Sequence, residues 1–119
     1  MKTHYNQIKP FTTRDGSLIR ELMHPDCHGN QNQSLAEAVV NIASETILHR
    51  HHESEELYYI TLGKGLMTLG DHNFEVGVGD TICISPGTEH KIRNIGDGEL
   101  KILCCCAPAY SHDDTELLA

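Results

Sequence analysis

Turn-forming residues interrupt this chain so often that the apolar stretches left between them are too short for packed helices. Gly63-Lys64-Gly65, Gly70-Asp71, the run 77–80, Ser85-Pro86-Gly87 and Gly96-Asp97-Gly98 are the clearest. Between such breaks, short β-rich segments recur at 17–23, 34–42, 46–51, 57–62, 66–69, 74–76, 81–84, 90–94 and 100–106. Helical periodicity is nearly absent. Many short strands with a turn every ~8 to 12 residues build a sandwich, a jelly roll or a small barrel. The 119 residues suit one such domain, which usually takes ~100 to 200. Its core is predicted over about 34–106, with an N-terminal strand and a C-terminal tail attached. Two segments depart from the strand pattern. Residues 25–33, rich in Gly, Asn and Gln, read as a loop. Residues 109–119 read either as a short helix, capped by Ser111 with Asp114 three positions on, or as an acidic tail.

Charge and cysteine usage narrow the function. Nine Lys plus Arg against seventeen Asp plus Glu leave a formal charge of −8, and the basic residues are scattered singly. A nucleic-acid surface needs clustered cations, so no nucleic-acid partner is expected. The longest apolar run, 102–107, is far short of the ~20 residues a membrane-spanning helix needs, and the first ten residues resemble no secretory signal. A cytoplasmic protein with no membrane partner is expected. Cys27, Cys83, Cys104, Cys105 and Cys106 are an odd number without zinc-ribbon spacing, which argues against a disulfide framework. The three adjacent cysteines lie in a strand that reads as buried, where Cys behaves as a small hydrophobe. No Lys or Arg adjoins them to lower a thiol pKa.

The nine histidines are conspicuous, because imidazole is the commonest metal ligand. The stretch His49-Arg50-His51-His52-Glu53-Ser54-Glu55-Glu56 packs three imidazoles and three carboxylates together. On a strand, His49 and His51 share a face while His52 points away. Two imidazoles with a carboxylate from the next strand make three ligands for a divalent metal; a solvated polar loop explains the run alone equally well. The tight turn Ser85-Pro86-Gly87, followed by Thr88-Glu89-His90, delivers another imidazole to the start of a strand and favours the metal. His24, Cys27 and His28 read as surface loop residues. Arg20 and Glu37 interrupt apolar strands; they meet inside the barrel, at a dimer contact, or lie on an exposed face.

In these segments the chain resembles the cupins. The first cupin motif runs Gly, five residues, His-x-His, three or four residues, Glu, six residues, Gly. Here His49, His51, Glu56 and Gly63 match it, and counting selects the glutamate, because the same step from Glu55 lands on Leu62. Ala43 stands where the opening Gly belongs. The second motif, Gly, five residues, Pro, x, Gly, two residues, His, three residues, Asn, is met by Gly79, Gly87, His90 and Asn94, with Ser85 at the Pro position and Pro86 following. The resemblance covers 43–94.

It implies an all-β, double-stranded β-helix of the jelly-roll type with one divalent transition metal per chain, held by His49, His51, Glu56 and His90. Such a donor set leaves one or two coordination positions open and suits Mn, Fe, Co, Ni, Zn or Cu without choosing among them. Tyr58 and Ile60 share the face of Glu56, so Tyr58 is a candidate pocket residue as well as a core aromatic; Met67 reads as core or pocket wall. Two function classes follow. One is a metal-dependent enzyme acting on a small polar molecule by dioxygenation, decarboxylation or sugar isomerisation or epimerisation; the other is a non-catalytic metal or small-ligand module, kept open by the lack of an evident proton shuttle. No nucleotide-binding Gly loop is present, which argues against NAD or ATP. A homodimer is also expected. Small cupins often pair through their sheets, and an N-terminal strand at 17–23 has Leu18, Ile19 and Leu22 to bury.

Overall fold

The computed structural model describes residues 1–118. Among them the strands are β1 (Phe11–Thr12), β2 (Leu18–Met23), β3 (Ser34–Val40), β4 (His49–His51), β5 (Glu55–Leu62), β6 (Lys64–Leu69), β7 (His72–Gly77), β8 (Thr81–Ile84), β9 (His90–Asn94), β10 (Leu100–Ala107) and β11 (Thr115–Leu117). They form two antiparallel sheets, one ordered β1-β2-β3-β10-β5-β8 and the other β11-β4-β9-β6-β7. Side chains from both sheets fill one interior, which is the jelly-roll architecture expected from the motifs.

Strand alternation divides that interior into two ends. β5 buries Glu56, Tyr58 and Ile60, and β10 buries Leu100, Ile102, Cys104 and Cys106. The register pairs Ile102 with Ile60 and Ala38, Cys104 with Tyr58 and Ala36, and Cys106 with Glu56 and Ser34. Along the sheet, each row is more polar than the one before. The apolar end is closed by Ile60, Met67, Ile92, Leu100 and Ile102, none more than 1% exposed. Gly63 turns β5 into β6 at φ +87°, and a Cβ there would stand 2.5 Å from the Glu99 carbonyl oxygen, so the close of the first motif is a steric requirement. Asn94 serves the same end. Its Nδ2 donates to the carbonyls of Val40 and Gly98, and its Oδ1 accepts from the Gly96 amide.

Several sequence expectations are corrected. Within 25–33, Pro25–His28 forms one α-helical turn, with Pro at its start, a left-handed Gly29 at its end, and the His24 imidazole capping it by accepting from the Asp26 amide. His24 is therefore buried, whereas Cys27 is exposed and His28 half-buried. The 109–119 segment is neither helix nor tail over its described part: β11 pairs with β4, whose outer edge would otherwise be bare. The strand at 46–51 shortens to β4 because Ile47 turns away, its amide donating to the Asp15 carbonyl, while the Thr46 amide still bonds the Ile92 carbonyl. β2 pairs with β3 of its own sheet, Leu18 opposite Val39, so it is no unpaired edge. Arg20 and Glu37 are cross-strand neighbours that hold the N-terminus: Arg20 donates to the carbonyls of Tyr5 and Ile8, and Tyr5 Oη donates to Glu37. Met67 is fully buried core and does not line the central cavity.

Candidate metal centre

His49 and His51 point inward from β4, and His90 opens β9 directly opposite His49. The turn before His90 is joined to β4 through the Gly87 amide, which donates to the His51 carbonyl at 2.7 Å; Gly87 sits at φ +81°. All three imidazoles are buried, 4% exposed or less. One ring nitrogen from each lies within 4.8 Å of the others.

The outer partners of these rings determine where their protons sit. His49 Nδ1 lies 2.7 Å from the Ile47 carbonyl and His90 Nδ1 3.0 Å from the Thr88 carbonyl. A carbonyl only accepts, so both Nδ1 atoms carry the hydrogen. His51 Nδ1 meets Thr115 Oγ1 at 2.9 Å, and that hydroxyl donates its own hydrogen to the Ser111 carbonyl; it too must accept. Each ring therefore turns its Nε2 inward, and that of His51 reaches the Glu56 carboxylate. Burial, reinforced by the His90 imidazole, holds His49 below the ordinary histidine range, in the neutral form.

Glu56 completes the cluster. Its Oε1 lies 3.2 Å from His51 Nε2 and 3.4 Å from His90 Nε2. Burial would raise this carboxyl, but the facing imidazoles outweigh it and hold the pKa at about 2, so Glu56 is an anion at neutral pH. An anionic oxygen beside three inward ring nitrogens is a donor set that a divalent metal fits. His90 Nε2, buried without a hydrogen-bond partner, is the clearest mark of such a site.

Tyr58 lines the cavity beside this cluster. Burial, with the Glu56 charge, pushes its hydroxyl well above the usual range, so it stays protonated and able to donate. His52 and Glu55 are exposed and face away, as expected; His52 meets Glu116 instead. The structure adds residues that the sequence did not single out. Thr115 orients His51, and Tyr110 packs its ring edgewise on His51, centroids 5.8 Å apart. Asp114 receives the amides of Glu53 and Ser54 at 2.9 and 3.0 Å, so the 110–117 strap clamps the first motif. Those amides outweigh slight burial and hold the Asp114 carboxyl below its ordinary range. Glu21, on the inner face of β2, lines both the cavity and a groove outside it. Cys106 donates its thiol to Glu56 Oε2 at 3.3 Å, a contact hidden in a run that reads as plain core. Only the Thr115 and Leu117 alternation hinted at β11, and three residues are too few to read as a strand.

The fold and this cluster define a cupin. The Cupin domain family matches residues 38–106, more than half of the chain, and the protein belongs to that family. The uncharacterized protein MJ1618 of Methanocaldococcus jannaschii is 59% identical over 99% of this chain and 94% of its own length. The oxalate-binding protein of Thermotoga maritima is 30% identical over 72% of this chain and 67% of its own. The polyketide cyclase RemF from Streptomyces resistomycificus superposes with a TM-score of 0.84 at 22% identity, over 100% of this chain and 85% of that one, which shows a common fold.

Proposed function

We propose that the protein is a metal-dependent cupin acting on a small carboxylate at one divalent metal held by His49, His51, His90 and Glu56. The observation that carries this reading is the set of three Nδ1 hydrogen bonds, which turn three Nε2 atoms toward one another beside an anionic Glu56 oxygen. A metal bound there would act as a Lewis acid, polarising a bound carboxylate or activating water or dioxygen. The chain's own residues orient the ligand and exclude water. Tyr58 offers a protonated hydroxyl, and Arg14, exposed yet lining the cavity, offers a guanidinium for a second carboxylate.

Cavity size supports a small ligand. The space beside the cluster is about 60 Å³, room for roughly four to six water-sized groups. An acid the size of oxalate suits it. The name of the Thermotoga maritima relative, an oxalate-binding protein, supports this choice. Between decarboxylation and dioxygenation of such an acid, the residues are neutral.

Elemental analysis of protein purified without a metal-affinity column tests the centre: about one divalent metal per chain is expected, and His51→Ala and His90→Ala should fold yet lose it. Metal content unchanged in either variant overturns the ligand set. Calorimetry with oxalate on the manganese-loaded protein tests the ligand class, and no heat at millimolar oxalate overturns it.

The proposal includes a homodimer in a reducing, cytoplasmic setting. The outer face of the six-stranded sheet supports the dimer, since Leu35, Leu57 and Tyr59 are exposed there in adjoining register with Cys105 and Leu103, an apolar patch of the kind that marks an interface. Light scattering giving a mass near the 13.2 kDa of one chain would retire the dimer. The five free cysteines fit the setting.

A further inference from the structure

The two oxygens of Glu56 have different surroundings. Oε1 faces His51 Nε2 and His90 Nε2, while Oε2 accepts from Cys106 Sγ at 3.3 Å. The contact follows from topology, because β10 and β5 place Cys106 directly opposite Glu56 with both side chains inward. The neighbouring cysteines do nothing comparable: Cys104 sits one row deeper, opposite Tyr58, and Cys105 lies on the other face. A carboxylate oxygen only accepts, so the hydrogen of this contact lies on the thiol. A thiol is ordinarily a weak donor, and a carboxylate acceptor strengthens the bond.

A carboxylate ligand binds a metal through one oxygen or through both, and the second mode occupies a position otherwise left for water or ligand. We propose that Cys106 is a positioning residue that keeps Glu56 to a single metal-bound oxygen, Oε1, by engaging Oε2, and so holds one coordination position open for the incoming ligand. This rests on Glu56 being a ligand, as proposed above. In β10, the sequence Cys104-Cys105-Cys106 thus contains one residue tied to the centre and two that are not.

The test uses the full-length protein loaded with Mn(II) and compares wild type, Cys106→Ser, Cys106→Val and Glu56→Gln. Two quantities are read: the Mn(II) dissociation constant and the water-proton relaxivity, which counts waters on the metal. Ser keeps a donor, whereas Val keeps the volume and removes it. Cys106→Ser should match wild type. Cys106→Val should lose up to about half of the relaxivity, as when one of two open positions is taken, with folding checked by circular dichroism. Should Val not fold there, Cys106→Ala replaces it with the same expectation.

Relaxivity in the folded Val or Ala variant equal to wild type overturns the inference, as does a loss in Ser as large as in Val. A sulfur-to-cobalt charge-transfer band in the Co(II) protein, absent from Cys106→Ser, also overturns it, because the thiol would then be a ligand itself. Loss of Mn(II) affinity in Glu56→Gln alongside an unchanged Val variant sinks this inference alone. Wild-type Mn(II) affinity in Glu56→Gln sinks the Glu56 ligand reading, and this inference with it.

Discussion

The two ends of the barrel are built from the same strands and held by different physics. At the closed end, Ile60, Ile102, Leu100, Met67 and Ile92 bury generic apolar surface, all supplied by residues inside the 38–106 family match. At the metal end, the candidate ligands come from that same span, and Ile47 and Thr88 within it orient His49 and His90, but the support of His51 and of the first motif does not. Thr115 sets the His51 tautomer, Asp114 binds the 53–54 amides, and the 13–17 turn holds Ile47, all from segments outside the match. The difference teaches that a small barrel can be stable through its core alone, while a precise metal site needs chain beyond it. Substitutions at the closed end should therefore cost folding, and those in the strap should cost metal.

The largest effect is expected at the closed end. Ile60→Ala removes a fully buried side chain from a packed row, which typically costs about 2 to 5 kcal/mol. Urea unfolding of the metal-free protein measures it. A loss below about 1 kcal/mol would show that the closed end is not the main source of stability, and the contrast between the ends would collapse.

Thr115→Val tests the other end. The substitution keeps the shape of β11 and removes the oxygen that accepts from His51 Nδ1. Loss of such an outer partner usually lowers metal affinity about 10- to 100-fold. Metal titration should show that drop with little change in the unfolding midpoint of the metal-free protein. The reverse pattern, lower stability with unaltered affinity, would make the strap a mere edge cover.

How much of this contrast was legible in the sequence follows from range. Turn punctuation and strand alternation are local, so the β-rich fold, the inward face of β5 and the outward His52 and Glu55 could be read directly. Motif spacing brought His90 to the two strand histidines because the count of residues between turns is itself the constraint. Thr115 and Cys106 were not legible, since their roles depend on partners more than 45 positions away and on register. His24 was misread for a related reason: it looks like a loop residue until Tyr110, 86 positions on, accepts from its Nε2.

Glu21 sharpens the comparison through pH. It lies at the metal end, with Oε1 buried without a hydrogen bond and 3.7 Å from His24 Nε2; burial raises its carboxyl above 4.5, although His24, His28 and His112 pull the other way and Asp26 adds to the rise. A pKa raised by folding means that the folded chain holds this proton more tightly than the unfolded one. The stability linked to it is present below about 4.5 and is lost as pH rises through the folded value. Glu21→Gln removes that loss. It should stabilise the protein at pH 7 by up to about 1 kcal/mol, with the gain over wild type shrinking as pH falls toward 4. Thermal melts across that range decide it; a gain that grows on acidification would reverse the sign and refute the burial account.

The smallest effect is expected at Ala43, where this chain departs from the first cupin motif. Ala43 is the described non-glycine residue held at positive φ, +60°, in the turn that the Ser44 amide closes on the Asn41 carbonyl. The turn that the opening glycine serves is therefore kept, with alanine carrying the strain. Left-handed backbone costs an L-residue roughly 1 to 2 kcal/mol, while replacing Ala by Gly adds unfolded-state entropy worth about 0.5 to 1 kcal/mol. The strain outweighs the entropy, so Ala43→Gly should stabilise by about 0.5 kcal/mol. Ala43 is exposed and lies six positions before His49, so metal affinity should not move. Equilibrium unfolding and metal titration on the same variant separate the two ends again. A destabilised Ala43→Gly would mean that the turn relaxes out of the left-handed region in solution, and a change in metal affinity would mean that this turn helps aim β4.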